Sequence, residues 1–240
     1  MSLTKRDKAI LSDLNRFRVM DRDSIAELHF AGLKNPRFAA NNVLLRLVRE
    51  GHIQRSTAFV PYVYFGGDVS MKKNSAKIGH FLAILDVYKQ MVKCNDVVTF
   101  QVEPKYGRKG TAEPDIFCIF RKKPMFIEVQ RTVYSEKKMA EKLARYEALY
   151  NSGIIAQEPW QPANKTVTPH VLIITEQRYA IEPRYPFKVF QTPSFAEFVE
   201  SLKVGNVATL QQMESPKTRT SSQSPPKMRS SSGGLTVRVK

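Results

Sequence analysis

Two acidic residues stand at a spacing that suits phosphodiester chemistry. Asp115 follows Pro114 at the head of an apolar run from Asp115 to Phe120, and Glu128 sits near the end of the next run, Met125 to Val129. Lys122-Lys123-Pro124 between the runs reads as a tight turn, so the runs are expected to form a hairpin. A hairpin places Asp115 beside Glu128, and strand alternation puts Gln130 on the same face as Glu128. Two carboxylates in one cleft can hold Mg²⁺, a hard cation that takes oxygen ligands and keeps several waters. Such an ion activates water and stabilises the charge that builds on a phosphodiester during hydrolysis. The plainer account competes with this one. Pro-Asp is common at strand starts, and a glutamate beside an arginine is often a surface ion pair of little energetic weight.

The elements around the pair form a consistent α/β unit over residues 75–202. Ala76 to Met91 carries Ile78, Phe81, Leu82, Leu85 and Met91 at helical spacing. Val97 to Val102 reads as a strand before the hairpin. Ser135 can cap a helix running to about Tyr150, with Met139, Leu143, Tyr146 and Leu149 on its buried face. Val171 to Thr175 is almost continuously apolar, as suits a strand covered on both faces. Lys188-Val189-Phe190 reads as a short strand, and Ser194 caps a last helix through Leu202. Lys105, Arg108, Lys109, Arg121, Lys122, Lys123, Lys137, Lys138 and Lys142 are expected around the cleft, with Tyr106 and Tyr134 among them. That mixture could lay a positive path for a phosphate backbone and offer rings for stacking on single strands.

Residues 1–68 have a different grammar. Thr4, Asp21 and Asn35 each precede a helical pattern, and Asn35 is followed by Pro36, which is favoured at the first helical position. The third helix carries Ala40, Val43, Leu44, Leu47 and Val48 on one side and stops at Gly51. Two extended runs follow, His52 to Ser56 and Tyr62 to Phe65, closed by Gly66-Gly67. Three helices and a hairpin are the order of a winged helix-turn-helix, which sets its third helix in the major groove. The expected DNA-binding residues are Arg37, Asn41, Asn42, Arg46 and Arg49 on that helix, with Arg55 on the hairpin as a phosphate contact. Arginine can pair with guanine and asparagine with adenine.

Composition agrees with a polyanionic partner. The chain has 240 residues, 38 Lys and Arg against 22 Asp and Glu, and a formal net charge of +16. Double-stranded DNA is the expected partner, with single-stranded DNA a second, because phosphate contacts supply most non-specific affinity. Cys94 and Cys118 are too few and too far apart for a zinc site and read as buried thiols. His29, His52, His80 and His170 are scattered, and His80 reads as a packed or hydrogen-bonded side chain. No apolar stretch suggests a signal peptide or a membrane span, so a cytoplasmic location is expected. Residues 203–240 are rich in Ser, Pro and basic residues and are expected to be a disordered basic tail.

The hairpin with its acidic pair resembles the restriction-endonuclease-like PD-(D/E)xK nucleases. The resemblance implies that Asp115 and Glu128 are metal-binding and catalytic, and that Gln130 occupies the place of the family's usual lysine. Gln130 could orient a water but brings no charge. Glu103, at the end of the preceding strand, would complete a metal set of Glu103, Asp115 and Glu128, while Glu113 in the loop is a poorer ligand. Across roughly residues 5–200, the order of a winged helix, a helix with His80, a Pro-Asp strand and Glu128-Val129-Gln130-Arg131-Thr132 resembles the replication-relaxation family. Those proteins belong to plasmids, conjugative elements and phages of Gram-positive bacteria. The pattern here lacks the family's Gly and has Gln in place of its Asp. The implied fold class is α+β, a winged helix followed by a nuclease-like α/β domain and the tail. The implied function is DNA binding in replication or processing of a mobile element, with Mg²⁺-dependent cutting. The competing reading is a non-enzymatic regulator or replication accessory factor whose nuclease-like unit serves in docking or homodimer formation.

Overall fold

The computed structural model describes residues 2–67, 71–72, 75–94, 97–108, 110–182 and 184–203. The tail expected from residue 203 onward lies outside them save for Lys203 itself, as does Lys109. The chain is of mixed α+β class, with helices and two separate sheets.

The first unit begins with α1 (Lys5–Phe17). Thr4 caps it reciprocally: the Asp7 amide donates to the Thr4 hydroxyl, and the Thr4 amide donates to the Asp7 carboxylate at 2.8 Å. Ile10, Leu14 and Phe17 fall on one face and are buried. A short strand, β1 (Val19–Asp21), follows, and Asp21 then caps α2 (Arg22–His29). Asn35 caps α3 (Pro36–Arg49), which buries Ala40, Leu44 and Leu47. Gly51 leaves that helix at φ +78°, a conformation costly for a residue with a Cβ. β2 (Ile53–Ser56) and β3 (Val63–Gly66) then form the hairpin, and β1 joins its far side to give the order β1-β3-β2, all antiparallel.

The second unit is a five-stranded mixed sheet, flanked by helices. Its first helix is α4 (Ile78–Val92), two residues shorter at its start than the sequence pattern suggests, and Leu82 on it is only half-buried. β4 (Val97–Val102), β5 (Ile116–Phe120) and β6 (Lys123–Val129) form an antiparallel meander. α5 (Glu136–Asn151) and a 3₁₀ turn at Ile154–Gln157 lead to β7 (His170–Ile174), parallel to β6. β8 (Val189–Thr192) is parallel to β7, and α6 (Phe195–Lys203) ends the described chain. The β5–β6 turn is one residue earlier than expected. Arg121 and Lys122 form it at φ +47° and +60°, and Lys123 and Pro124 already belong to β6. Proline is tolerated there because pairing with β7 starts only at Met125, so no acceptor waits for its missing N–H.

One apolar core runs from the first unit into the second. Phe17 of α1 lies 5.0 Å from Tyr88 of α4 and 5.9 Å from Phe100 of β4, ring centre to ring centre. Ion pairs tie the same seam: Lys89 and Lys93 of α4 each reach Glu27 at 3.0 Å, and Arg18 reaches Glu103 at 3.2 Å. The opposite face of the sheet packs on α5 through Phe117, Phe126, Leu143 and Tyr146. No described helix is long and apolar enough to cross a membrane.

Candidate functional site

Asp115 and Glu128 do meet. Ile116 pairs with Ile127, so the residues one step outward, Asp115 and Glu128, are neighbours at the same sheet end. One Asp115 oxygen accepts from the Val129 amide at 2.7 Å, and the other lies 3.1 Å from His80 Nε2 on α4. Burial pushes the Asp115 carboxyl up, but the His80 bond and charge, the Lys142 charge and the Val129 amide outweigh it and hold it below the usual range. His80 moves the other way. Its bond to Asp115 outweighs burial and raises it, helped by the charges of Asp115, Glu103 and Glu128. The imidazole therefore keeps its proton to higher pH than a free histidine does, facing an aspartate that stays charged to lower pH than usual.

Glu128 is 2% exposed and points toward α5. Tyr146 donates its hydroxyl to Oε1, and Lys142 donates its ammonium to Oε2. Burial, reinforced by the Asp115 charge, pushes the carboxyl up to about 7 against the opposing pull of Lys142 and Tyr146. Lys142 stays an ammonium, because the Glu128 charge and hydrogen bond overcome its own burial. Lys142 and Tyr146 are four residues apart on α5, one helical turn, which is why both reach the same carboxylate.

The other expected members are elsewhere. Gln130 lies one residue beyond β6, where its amide donates to the Ile174 carbonyl at 2.9 Å. Its side-chain amide donates to the Tyr179 hydroxyl and the Thr132 carbonyl, so it braces the 130–134 segment rather than facing the carboxylate pair. Tyr179, which the sequence reading passed over, also accepts from the Tyr134 amide at 2.9 Å. Glu103 points to Arg18, and only its backbone amide touches Asp115, through the carbonyl at 2.9 Å. Glu113 pairs with Lys105 at 2.6 Å. The expected three-carboxylate set is thus not assembled. Among the described residues no group of three or more His, Cys, Asp or Glu could hold a metal ion. All four oxygens of Asp115 and Glu128 are already engaged by groups of this chain, so the arrangement does not fit a resident Mg²⁺.

A cleft of about 460 Å³ opens above Glu128 and Tyr146, walled by Tyr134, Lys138, Lys142, Arg145 and the 110–113 loop. Lys138 Nζ sits 3.8 Å above the Tyr134 ring. Arg121 and Lys122 are not part of this wall. They lie at the far end of β5, about 17 Å away by strand rise. Tyr106 is buried among Phe117 and Phe126 and offers no stacking face. Cys118 is buried as expected, whereas Cys94 is only half-buried.

On the first unit, α3 presents Arg37, Asn41, Asn42 and Arg49 to solvent. Arg37 also lies 3.4 Å from Asp23 yet is mostly exposed. Arg46 departs from expectation: it turns inward, 2.7 Å from the buried Asp7 and 3.1 Å from Glu50. A carboxylate that is 1% exposed needs that cation, so Arg46 is taken up by the fold. Arg55 is half-buried on the hairpin, its guanidinium 5.1 Å from the Tyr62 ring centre. Two side chains on the exposed α3 face escaped the sequence reading, Phe38 at 63% exposure and Leu45 at 51%. Compared with protein-family models, with curated proteins and with solved structures, the chain has no match in any of the three.

Proposed function

We propose that this chain is a DNA-binding protein, gripping a duplex with α3 and the β2–β3 hairpin. The carrying observation is the outward face of α3, where Arg37, Asn41, Asn42 and Arg49 stand exposed on a chain of net charge +16. Three helices with a β1-β3-β2 sheet are the parts of a winged helix, and such a unit docks its third helix in the major groove. The second unit runs helix, three antiparallel strands, helix, parallel strand, the order of a restriction-endonuclease-like core. In this reading Lys138 and Arg145 of its cleft carry flanking phosphates rather than a metal ion. The resemblance to the replication-relaxation family supplies the setting, replication or processing of mobile-element DNA. The test is fluorescence anisotropy with a 30-base-pair duplex. Arg37→Ala with Arg49→Ala should weaken binding about tenfold or more, as loss of two phosphate or base contacts does. Unchanged affinity would remove α3 from the interface.

One observation favours a second reading, strand cleavage. Lys142 places an ammonium against Glu128 and supplies beside the acidic pair the positive charge that Gln130 lacks. Nicking of supercoiled plasmid that Asp115→Ala abolishes supports it. Tight binding without nicking leaves the first reading.

A further inference from the structure

We infer that α3 selects A·T base pairs, reading thymine methyls with Phe38 and Leu45 and adenine edges with Asn41 and Asn42. The inference rests on the proposed DNA binding and names the sequence class that the same face accepts.

The exposed surface of α3 is a stripe. Asn41 and Asn42 each lie three or four residues from both Phe38 and Leu45, and Arg49 lies four beyond Leu45, which at 3.6 residues per turn keeps them on one side. The opposite side holds the buried Ala40, Leu44 and Leu47 and fixes which way the stripe looks. Two of its members are apolar, and Phe38 and Leu45 remain 63% and 51% exposed. A helix serving only phosphates has no use for them. In the major groove the thymine methyl is the apolar feature, and adenine N6 and N7 match a side-chain amide. Asn41 and Asn42 lie between the two apolar residues and supply such amides.

The usual reader of guanine is withheld. Arg46 is the arginine nearest the middle of the helix, and Asp7 and Glu50 hold it at 2.7 and 3.1 Å. Arg37 and Arg49 sit at the two ends of α3, where a groove-bound helix meets the sugar–phosphate walls. Charge at the ends with amide and apolar groups between them suits an A·T site. A duplex rather than a second protein copy is favoured as occupant because arginines close both ends of the stripe and the chain carries +16 overall.

The experiment is selection from randomised duplexes by the full chain at about physiological salt, followed by anisotropy on the winning duplex. A·T pairs should dominate the core of the selected site. Replacing its thymines by uracil removes only the methyls and should weaken binding roughly fourfold per methyl contacted. That sensitivity should vanish in Phe38→Ala or Leu45→Ala, while Asn42→Ala should cost about tenfold on the selected site. A G·C-rich core, or equal affinity for thymine and uracil duplexes, overturns the inference and leaves DNA binding intact. No salt-dependent binding to any duplex overturns the underlying reading instead. Loss of self-association in Phe38→Ala, with uracil sensitivity unchanged, assigns the stripe to a second copy and overturns the inference as well.

Discussion

Glu128 and His80 both hold a proton more tightly in the native chain than in the unfolded one, so each makes native stability fall as pH rises. The Glu128 carboxyl is raised from 4.5 to about 7 by burial. Between those values the unfolded chain releases this proton and the native chain keeps it, so native stability falls as pH rises through the interval. Glu128→Gln cannot ionise. Its stability relative to the native protein should therefore improve steadily from about pH 4.5 to 7, measured by urea denaturation. His80 is raised above 6.5 by Asp115. Its contribution is full below 6.5 and fades as pH climbs through the folded value, so His80→Ala should cost more at pH 6 than at pH 9. An equal cost at both would mean that the imidazole is held neutral. Arg46→Ala should lower the melting temperature more than Arg49→Ala, because only Arg46 balances the buried Asp7. None of these partnerships was legible beforehand. Asp115 and Glu128 announced themselves by type and spacing, but His80 and Lys142 lie on helices that only tertiary packing brings to them.

At the scale of elements the sequence was far more informative. Thr4, Asp21, Asn35 and Ser135 all accept from a backbone amide of the helix they precede, as their residue types suggest. Met139, Leu143, Tyr146 and Leu149 are the buried face of α5, since a four-turn helix shows its period clearly. β1 was invisible because three residues carry no period and Asp21 doubles as a cap. The β5–β6 turn was misplaced because Pro124 reads as a turn residue, although the two positions that bend are Arg121 and Lys122. Lys122 at φ +60° is in the left-handed region. Lys122→Gly should therefore be neutral or stabilising, by up to about 1 kcal/mol, where glycine inside a strand would destabilise. Thr4→Ala should cost about 1 kcal/mol by removing the reciprocal cap. Both are read by denaturant unfolding.

At the scale of the molecule, the sequence suggests two units with a boundary near residues 69–74, while the apolar core passes straight from α1 and β1 to α4 and β4. Phe17, Tyr88 and Phe100 form one aromatic cluster across that seam. A shared core couples the unfolding of its parts, so calorimetry should show one transition rather than two. The same core joins the unit that carries α3 to the unit that carries the basic cleft. Composition gives the chain its net charge of +16, and the fold sorts the cations. Arg46 is spent on Asp7, Lys142 on Glu128, and Arg37 and Arg49 remain outward.

The most direct test of the central claim is the salt dependence of duplex binding by the full chain, titrated from about 50 to 200 mM salt. Binding through phosphate contacts should give log K falling linearly with log salt, and Arg49→Ala should reduce the slope by about one. Weak binding that is indifferent to salt, with the same behaviour in Arg49→Ala, would contradict a DNA-binding role.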